Sequence, residues 1–501
     1  MWELACQRAV EALKESVQPI LENPLQAHSW PVIVPPLIPF IEPHMNPPNA
    51  RFTEGSLPRH VLAMASASGV GLLAVFLVDI LTLVYVSRLA DPRLMAAVGL
   101  GKALMFVNGA FSSGVIIAAG ALLSQRIGRH ATHVLARLVT HLLIMVILVS
   151  TVVCALELLC MAPLSRWFGA DPGAYEQAHL YIWMTLVTSI PAAAMQMCAQ
   201  LLRSQGHGQL ALVVLLSGAA ALAVADPLFI FGFNLGLQGA GLAYGLSTAL
   251  SLTVGLVLVK RRLGLAATVM LRRLLLHTCR VTRVAVPAML ANLAMPVGIT
   301  YLMVTLAAQG ASALAGMAVV DRLLQLGYCM YFALPTALVP VLAQNLGAGR
   351  DDRARLAVSF TAKLVVLYGV ALWSLLALSG QSLADAFHLE GAGRSMLLAF
   401  CHVGAGLWIV FGLDFVAQSL FFTLERAWWV PAFGWLRGTL GSLPFVYVGA
   451  HWQGGSGALF GLWLGNALVA LMAIFTALFV AQRVFRGRAA ARAPVSGILC
   501  Q

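Results

Sequence analysis

Charge is what this sequence has least of. Asp, Glu, Lys and Arg make up 10% of its 501 residues, where a soluble domain carries about 25%. Carboxylates are scarcer still, 19 against 31 basic residues. The one Asp–Asp pair, Asp351–Asp352, stands beside Arg350 and Arg353. Metal-assisted group transfer needs repeated acidic motifs, and neither a His-rich metal set nor a nucleophile constellation is present. The chain is therefore read as a non-enzyme without metal or cofactor. Its eight cysteines (Cys6, Cys154, Cys160, Cys198, Cys279, Cys329, Cys401 and Cys500) are scattered, most of them in apolar runs where Cys acts as a small hydrophobe. No CxxC or Cys/His spacing suits zinc or a disulfide framework. A basic start followed by a clean apolar run is also missing, so the first residues do not read as a signal peptide.

What is abundant is hydrocarbon. Hydrophobic residues make up 60% of the chain, and the mean hydropathy is +0.87. No soluble fold of this length hides so much apolar surface, so a bilayer must act as solvent. Forty-five glycines fit close packing of membrane helices. From Leu57 onward, apolar runs long enough to cross about 30 Å of hydrocarbon recur near 62–87, 95–124, 138–162, 179–202, 209–231, 239–259, 284–308, 313–342, 357–380, 396–423, 428–450 and 458–481. The predicted fold is an all-α integral membrane protein of twelve spans. Residues 1–56 differ: a short amphipathic stretch over 3–22 precedes a Pro-dense segment that cannot hold a helix. They are expected to form a poorly ordered, dispensable extension.

The net charge of +12 sits in short loops and so reads as topology rather than nucleic-acid binding. Loops after even-numbered spans hold Arg126, Arg129, Arg137, Arg203, the 260–283 cluster, Arg350, Arg353, Arg355 and Arg426, and the tail adds Arg483, Arg486 and Arg488. Loops after odd-numbered spans hold only Arg88, Arg93, Arg166 and Arg394. Basic loops stay inside, so both termini are expected in the cytoplasm and the protein in the inner (plasma) membrane.

The halves repeat. Gln125 and Gly128 in ALLSQRIGRH match Gln344 and Gly347 in PVLAQNLGAGR, and GAGLAYGL from Gly239 matches GSGALFGL from Gly455, with offsets of about 217 residues. This predicts two pseudo-symmetric six-helix lobes, 57–270 and 271–486, with a tail 487–501. Parallel repeats of this kind hold substrate between the halves near the midplane and expose it alternately.

Four segments then carry a resemblance: FLVDILTLVYVSRLADPRLMAAVGL (76–100), LLRSQGHGQ (201–209), DPLFIFGFNLGLQGAGLAYG (226–245) and LVPVLAQNLGAGRDDRAR (338–355). In order and spacing the chain resembles the bacterial multidrug and toxic compound extrusion (MATE) family from about residue 57 to 485. The resemblance implies a monomeric secondary antiporter that exports amphipathic, often cationic, small molecules in exchange for protons or sodium. The same superfamily includes lipid and lipid-linked oligosaccharide flippases, which would call for a larger basic cavity.

A charge at bilayer depth costs about 2.5–3.5 kcal/mol, so intramembrane charges are functional candidates by default. Asp79 stands alone in an apolar stretch, and the resemblance implies an ion-coupling carboxylate there. Its alternative is a structural pair with Arg88 or Lys102; Lys102 itself is expected to snorkel. Asp226 precedes Pro227, and in part of the family this Asp cooperates with the first. The resemblance further implies an Asn and a Thr where this chain has Leu222 and Tyr244, which weakens an oxygen-rich sodium site and favours protons. Asp414, ten residues before Leu424, matches a coupling Asp of another branch. The span-seven Glu of that branch is absent, and Asn292, Met295 and Pro296 stand in that region instead. Asp321 and Arg322 are expected in salt bridges to another helix. Glu157 is expected to reach water. Gln196, Tyr301, Tyr331, Trp373 and Trp408 are candidates to line an aromatic cavity for cations. The family's mid-span proline is missing from the first helix, and Gly69 and Gly71 are the candidate hinges.

Overall fold

A computed structural model describes residues 50–89, 92–131, 134–161 and 172–492. The expected features of residues 1–49 and of 493–501 lie outside the described residues. No strand occurs among those described. The helices are α1 (Leu57–Ser87), α2 (Pro92–Gly128), α3 (Leu135–Leu159), α4 (Pro172–Ser204), α5 (Gly208–Pro227) and α6 (Gly236–Leu263). There follow α7 (Leu271–Ala307), α8 (Ala311–Gly347), α9 (Asp351–Ala386) and α10 (Gly391–Thr423), then α11 (Trp429–Gly438) and α12 (Leu443–Arg492).

Among the described residues, eleven helical stretches are long and apolar enough to cross a bilayer, and the last, Trp429–Ala489, is 61 residues long. It is two crossings. The backbone of α12 leaves the helix at Gln453 and Gly454, the latter at φ +59°, a left-handed value that glycine adopts without strain. The chain then doubles back. Gly465 meets the backbone of Gly441, Gly461 that of Phe445, and Gly457 that of Gly449. These three contacts share one antiparallel register, and side chains at the glycines would prevent it. The eleventh span is thus α11 with the first limb of α12, and the twelfth is the second limb.

α1 to α6 pack together as one lobe and α7 to α12 as the other; the lobes meet where α1 and α2 lie on α7 and α8. The repeated motifs meet there too. The open side of Gly128 on α2 faces the backbone of Gln344 on α8, and that of Gly347 faces the backbone of Gln125. The pair recognised as a repeat is an exchanged contact about the pseudo-twofold axis. Higher along the same seam, Asn292 of α7 donates to Ala110 O (3.2 Å) and Ser113 Oγ (2.7 Å) of α2.

The described end of the N-terminal extension is anchored. Arg51–Thr53 form a single 3-10 turn with Phe52 buried. Phe52 N donates to Gln344 Oε1 (3.1 Å), and Gln344 Nε2 donates to Ser204 O (2.7 Å). Arg350 donates to Thr53 O (2.6 Å), and Arg353 Nη2 reaches the carbonyls of Phe52, Glu54 and Gly55. The turn therefore joins α8, α9 and the end of α4.

Three expectations need correcting. Glu157 does not reach water: it is buried in the α3 packing face, with both carboxylate oxygens unpartnered. Asp321 and Arg322 do not bridge to another helix; Arg322 donates to Gln325 and Gln325 to Asp321, one helical turn apart within α8. α1 runs unbroken past Gly69 and Gly71, which admit Met330 of α8 and Leu215 of α5 as close neighbours.

Candidate functional site

A cavity of about 270 Å³ lies inside the first lobe, walled by α1, α2, α4, α5 and α6 and closed by Phe332 and Thr336 of α8. On α1 it runs from Ser68 to Asp79, eleven residues or about 16 Å of helix. Asp79 stands at one end, and Arg203 of α4 lines the wall. Between them the lining is mostly apolar, with Gln196, Tyr244, Ser247 and Thr248 supplying polar atoms.

The Asp79 end is a cluster of charges. Its side chain is half exposed, and Lys102 Nζ of α2 lies 3.9 Å away. One turn along α1, Thr82 Oγ1 donates to Asp226 Oδ2 in a short hydrogen bond. Asp226 is 1% exposed, and its Oδ1 has no partner. Helical spacing explains the arrangement: positions 79 and 82 share a face, and Asp226 sits at the end of α5, just before the π-helical turn Leu228–Gly232. A buried carboxylate oxygen without a donor is costly as an anion.

Of the sequence candidates, Asp79, Gln196 and Tyr244 line this cavity, and Asp226 joins them through Thr82. Leu222 also faces it, presenting hydrocarbon. The others lie elsewhere. Asp414 is buried in the second lobe, with Arg437 Nη2 at 2.5 Å and Gln418 Nε2 at 2.7 Å. Asn292 joins the lobes, Asp321 is bound to Gln325, and Tyr301 packs against the second-lobe core. Tyr331, Trp373 and Trp408 are also second-lobe packing residues: Tyr331 donates to Val365 O, Trp373 to His402 O, and Trp408 packs on Tyr328 and Phe411. Lys102 is a neighbour of Asp79 rather than a snorkelling residue.

Arg203 was missed as a site residue. Counted among the loop arginines, it is 7% exposed and donates to Gln200 Oε1 at 3.1 Å. Thr82 and Phe332 carried no distinguishing signal.

Two six-helix lobes, with a carboxylate cluster beside a mostly apolar intramembrane cavity, define a secondary transporter. The MatE family model matches this chain twice, over residues 67–228 and 287–428. The chain belongs to that family, and the two matches begin 220 residues apart (67 and 287), one in each lobe, as the internal repeat requires. A FAD transporter of Shewanella oneidensis is 27% identical over 84% of this chain and 94% of its own length. An uncharacterized 21 kDa protein in the iaaL 5' region of Pseudomonas savastanoi is 36% identical over 48% of this chain and 80% of its own length. In fold, the chain is similar to a mutant of the Vibrio cholerae MATE transporter VcmN, with a TM-score of 0.80 at 20% identity over 86% of this chain and 97% of that one.

Proposed function

We propose that this transporter exports amphipathic organic cations by exchange for protons, with Asp79 as the shared binding group and Asp226 as its partner. The observation that carries the proposal is a half-exposed carboxylate at the end of a mostly apolar cavity, beside a second carboxylate with an unpartnered buried oxygen. A cationic substrate with an apolar body sits on the hydrocarbon lining with its charge toward Asp79. Protonation of Asp79 removes that attraction and releases the substrate; loss of the proton to the other side resets the site. Leu222 in the lining supports protons over sodium, since it offers no oxygen to a hard cation. The arginine-rich helix ends support a cytoplasmic placement of both termini. On that placement the Gly128–Gln344 crossing closes the inner side, and the described arrangement faces outward.

A second reading has its own support. Arg203 lines the cavity, and one relative is named a FAD transporter. A guanidinium there would meet a phosphate-bearing cargo, which would need this cavity to widen beyond about 270 Å³.

The test is uptake of a fluorescent organic cation into everted vesicles, under a proton gradient and a sodium gradient imposed separately, with FAD as a parallel cargo. Asp79→Asn is expected to reduce proton-driven uptake to the level of vesicles lacking the protein. Unchanged uptake by that variant rules out the role of Asp79. Uptake of FAD alone, lost in Arg203→Gln, establishes the second reading.

A further inference from the structure

A second cavity, of about 360 Å³, opens at the arginine-rich end, where the end of α2 and the start of α3 face the first turns of α7. Arg126 of α2, Arg137 of α3, and Arg273, His277 and Arg280 of α7 line it over an apolar floor that includes Leu138. Among the described residues, no carboxylate pairs with any of these four arginines; the ion pairs that exist lie at Asp79, Asp351, Asp385 and Asp414. Four guanidinium groups around one hollow repel one another unless an anion occupies it. The wall is built rather than incidental. His277 Nδ1 lies 2.8 Å from His141 Nδ1, so one ring donates and the other accepts. His141 is fully buried, with its Nε2 unpartnered.

The surroundings favour a lipid. Leu271 and Leu275 are 70% and 57% exposed. At roughly 100° per residue they fall on the side of α7 nearly opposite Arg273, His277 and Arg280. A helix with charge on one side and bare leucines on the other suits the membrane interface. Clustered arginines between helix ends on the inner side suit acidic headgroups.

We propose that this hollow binds a phosphate-bearing anion, and that its resident is the headgroup of an acidic phospholipid at the membrane interface that α7 marks. Arg126 and Arg137 belong to the first lobe, and Arg273 and Arg280 to the second. The bound phosphate therefore joins the lobes at the end where they are closed. This goes beyond transport at the Asp79 cavity and does not depend on the coupling ion.

The test is thermal unfolding of the delipidated full-length protein in neutral detergent, titrated with dihexanoyl phosphatidylglycerol, dihexanoyl phosphatidylcholine or inorganic phosphate. Ligand bound only to the folded state raises the melting temperature by mass action. The glycerol lipid is expected to raise it and the choline lipid not to. In Arg126→Gln/Arg280→Gln, half-saturation should weaken roughly 25-fold. Arg126→Lys/Arg280→Lys retains the charges and should keep the response, as should Arg426→Gln/Arg486→Gln, which removes two exposed charges elsewhere. If the first double variant does not fold, Arg273→Gln, whose side chain is exposed, tests the same loss singly. An equal response to inorganic phosphate, lost in the variant, overturns the lipid and leaves a soluble phosphate as the ligand. A full response to the lipid in the folded Gln variants overturns the site.

Discussion

At the scale of single residues, the contact most specific to this fold is made by two hydrogens. Gly128 and Gly347 each lack a Cβ where the other lobe's backbone passes, at Gln344 and Gln125. A methyl group at Gly128 would meet main chain rather than a movable side-chain end, so the helices themselves must separate. Overpacking of this kind costs about 1–3 kcal/mol. Gly128→Ala is expected to lower the apparent melting temperature in detergent, whereas Gly109→Ala, with nothing within 4 Å of the added group, should leave it unchanged or slightly raised. Equal melting of the two variants would rule out the close crossing. Both glycines were legible in the sequence as a repeat, because a Gln-x-x-Gly pattern recurs. That they touch was not, since equivalence in a repeat does not imply adjacency. Asp79 and Asp226 were legible because charge in an apolar run has few explanations. Arg203 was not, because a basic residue at a helix end looks the same whether it faces water or a cavity.

At the scale of elements, the twelve predicted runs are helical over most of their described length, the eleventh being broken by a turn at 439–442, because apolar length marks a membrane span. Turns and junctions carry no such signal. The Arg51–Thr53 turn follows the Pro-dense segment, and nothing in composition marks where anchoring begins. Its link to the α4–α5 connection is Arg51 Nη1 to His207 Nδ1, 3.2 Å apart. Arg51 can only donate, so His207 accepts there as the neutral ring. Burial, then Arg51 and Arg262, push the His207 pKa down from the usual 6.5 to about 4. A depressed histidine is neutral in both the closed and open turn above 6.5. Below that value the open turn takes up a proton first, so the closed turn loses stability as pH falls from 6.5 toward 4. Hydrogen exchange of amides 50–56, corrected for intrinsic rates, should show less protection at pH 5 than at pH 7. His207→Asn, which keeps a neutral acceptor, should abolish the difference. Protection independent of pH in the unmodified protein would contradict this role of His207.

At the scale of the whole molecule, the repeat sets the architecture and the asymmetries set the function. Both lobes carry an intramembrane Asp, yet Asp414 is held by Arg437 and Gln418, while Asp79 is half exposed at a cavity and Asp226 keeps an unpartnered oxygen. This contrast supports the proposed placement of proton and substrate exchange in the first lobe. The two lobes are joined at one end by the Gly128–Gln344 crossing and by the turn that Arg353 holds through three carbonyls. Alternating exposure requires these contacts to break together. Hydrogen bonds from a charged group contribute about 1.5–3 kcal/mol each, so losing the set held by Arg353 should move the balance between closed and open forms by at least about tenfold. Spin labels at Arg129→Cys and Asp352→Cys, both exposed at this end, in a background without native cysteines, would report it as an interlobe distance. One short-distance population is expected with Arg353 present, and a second, longer one in Arg353→Gln. An identical distribution in both proteins would mean that the turn packs against the gate without holding it shut.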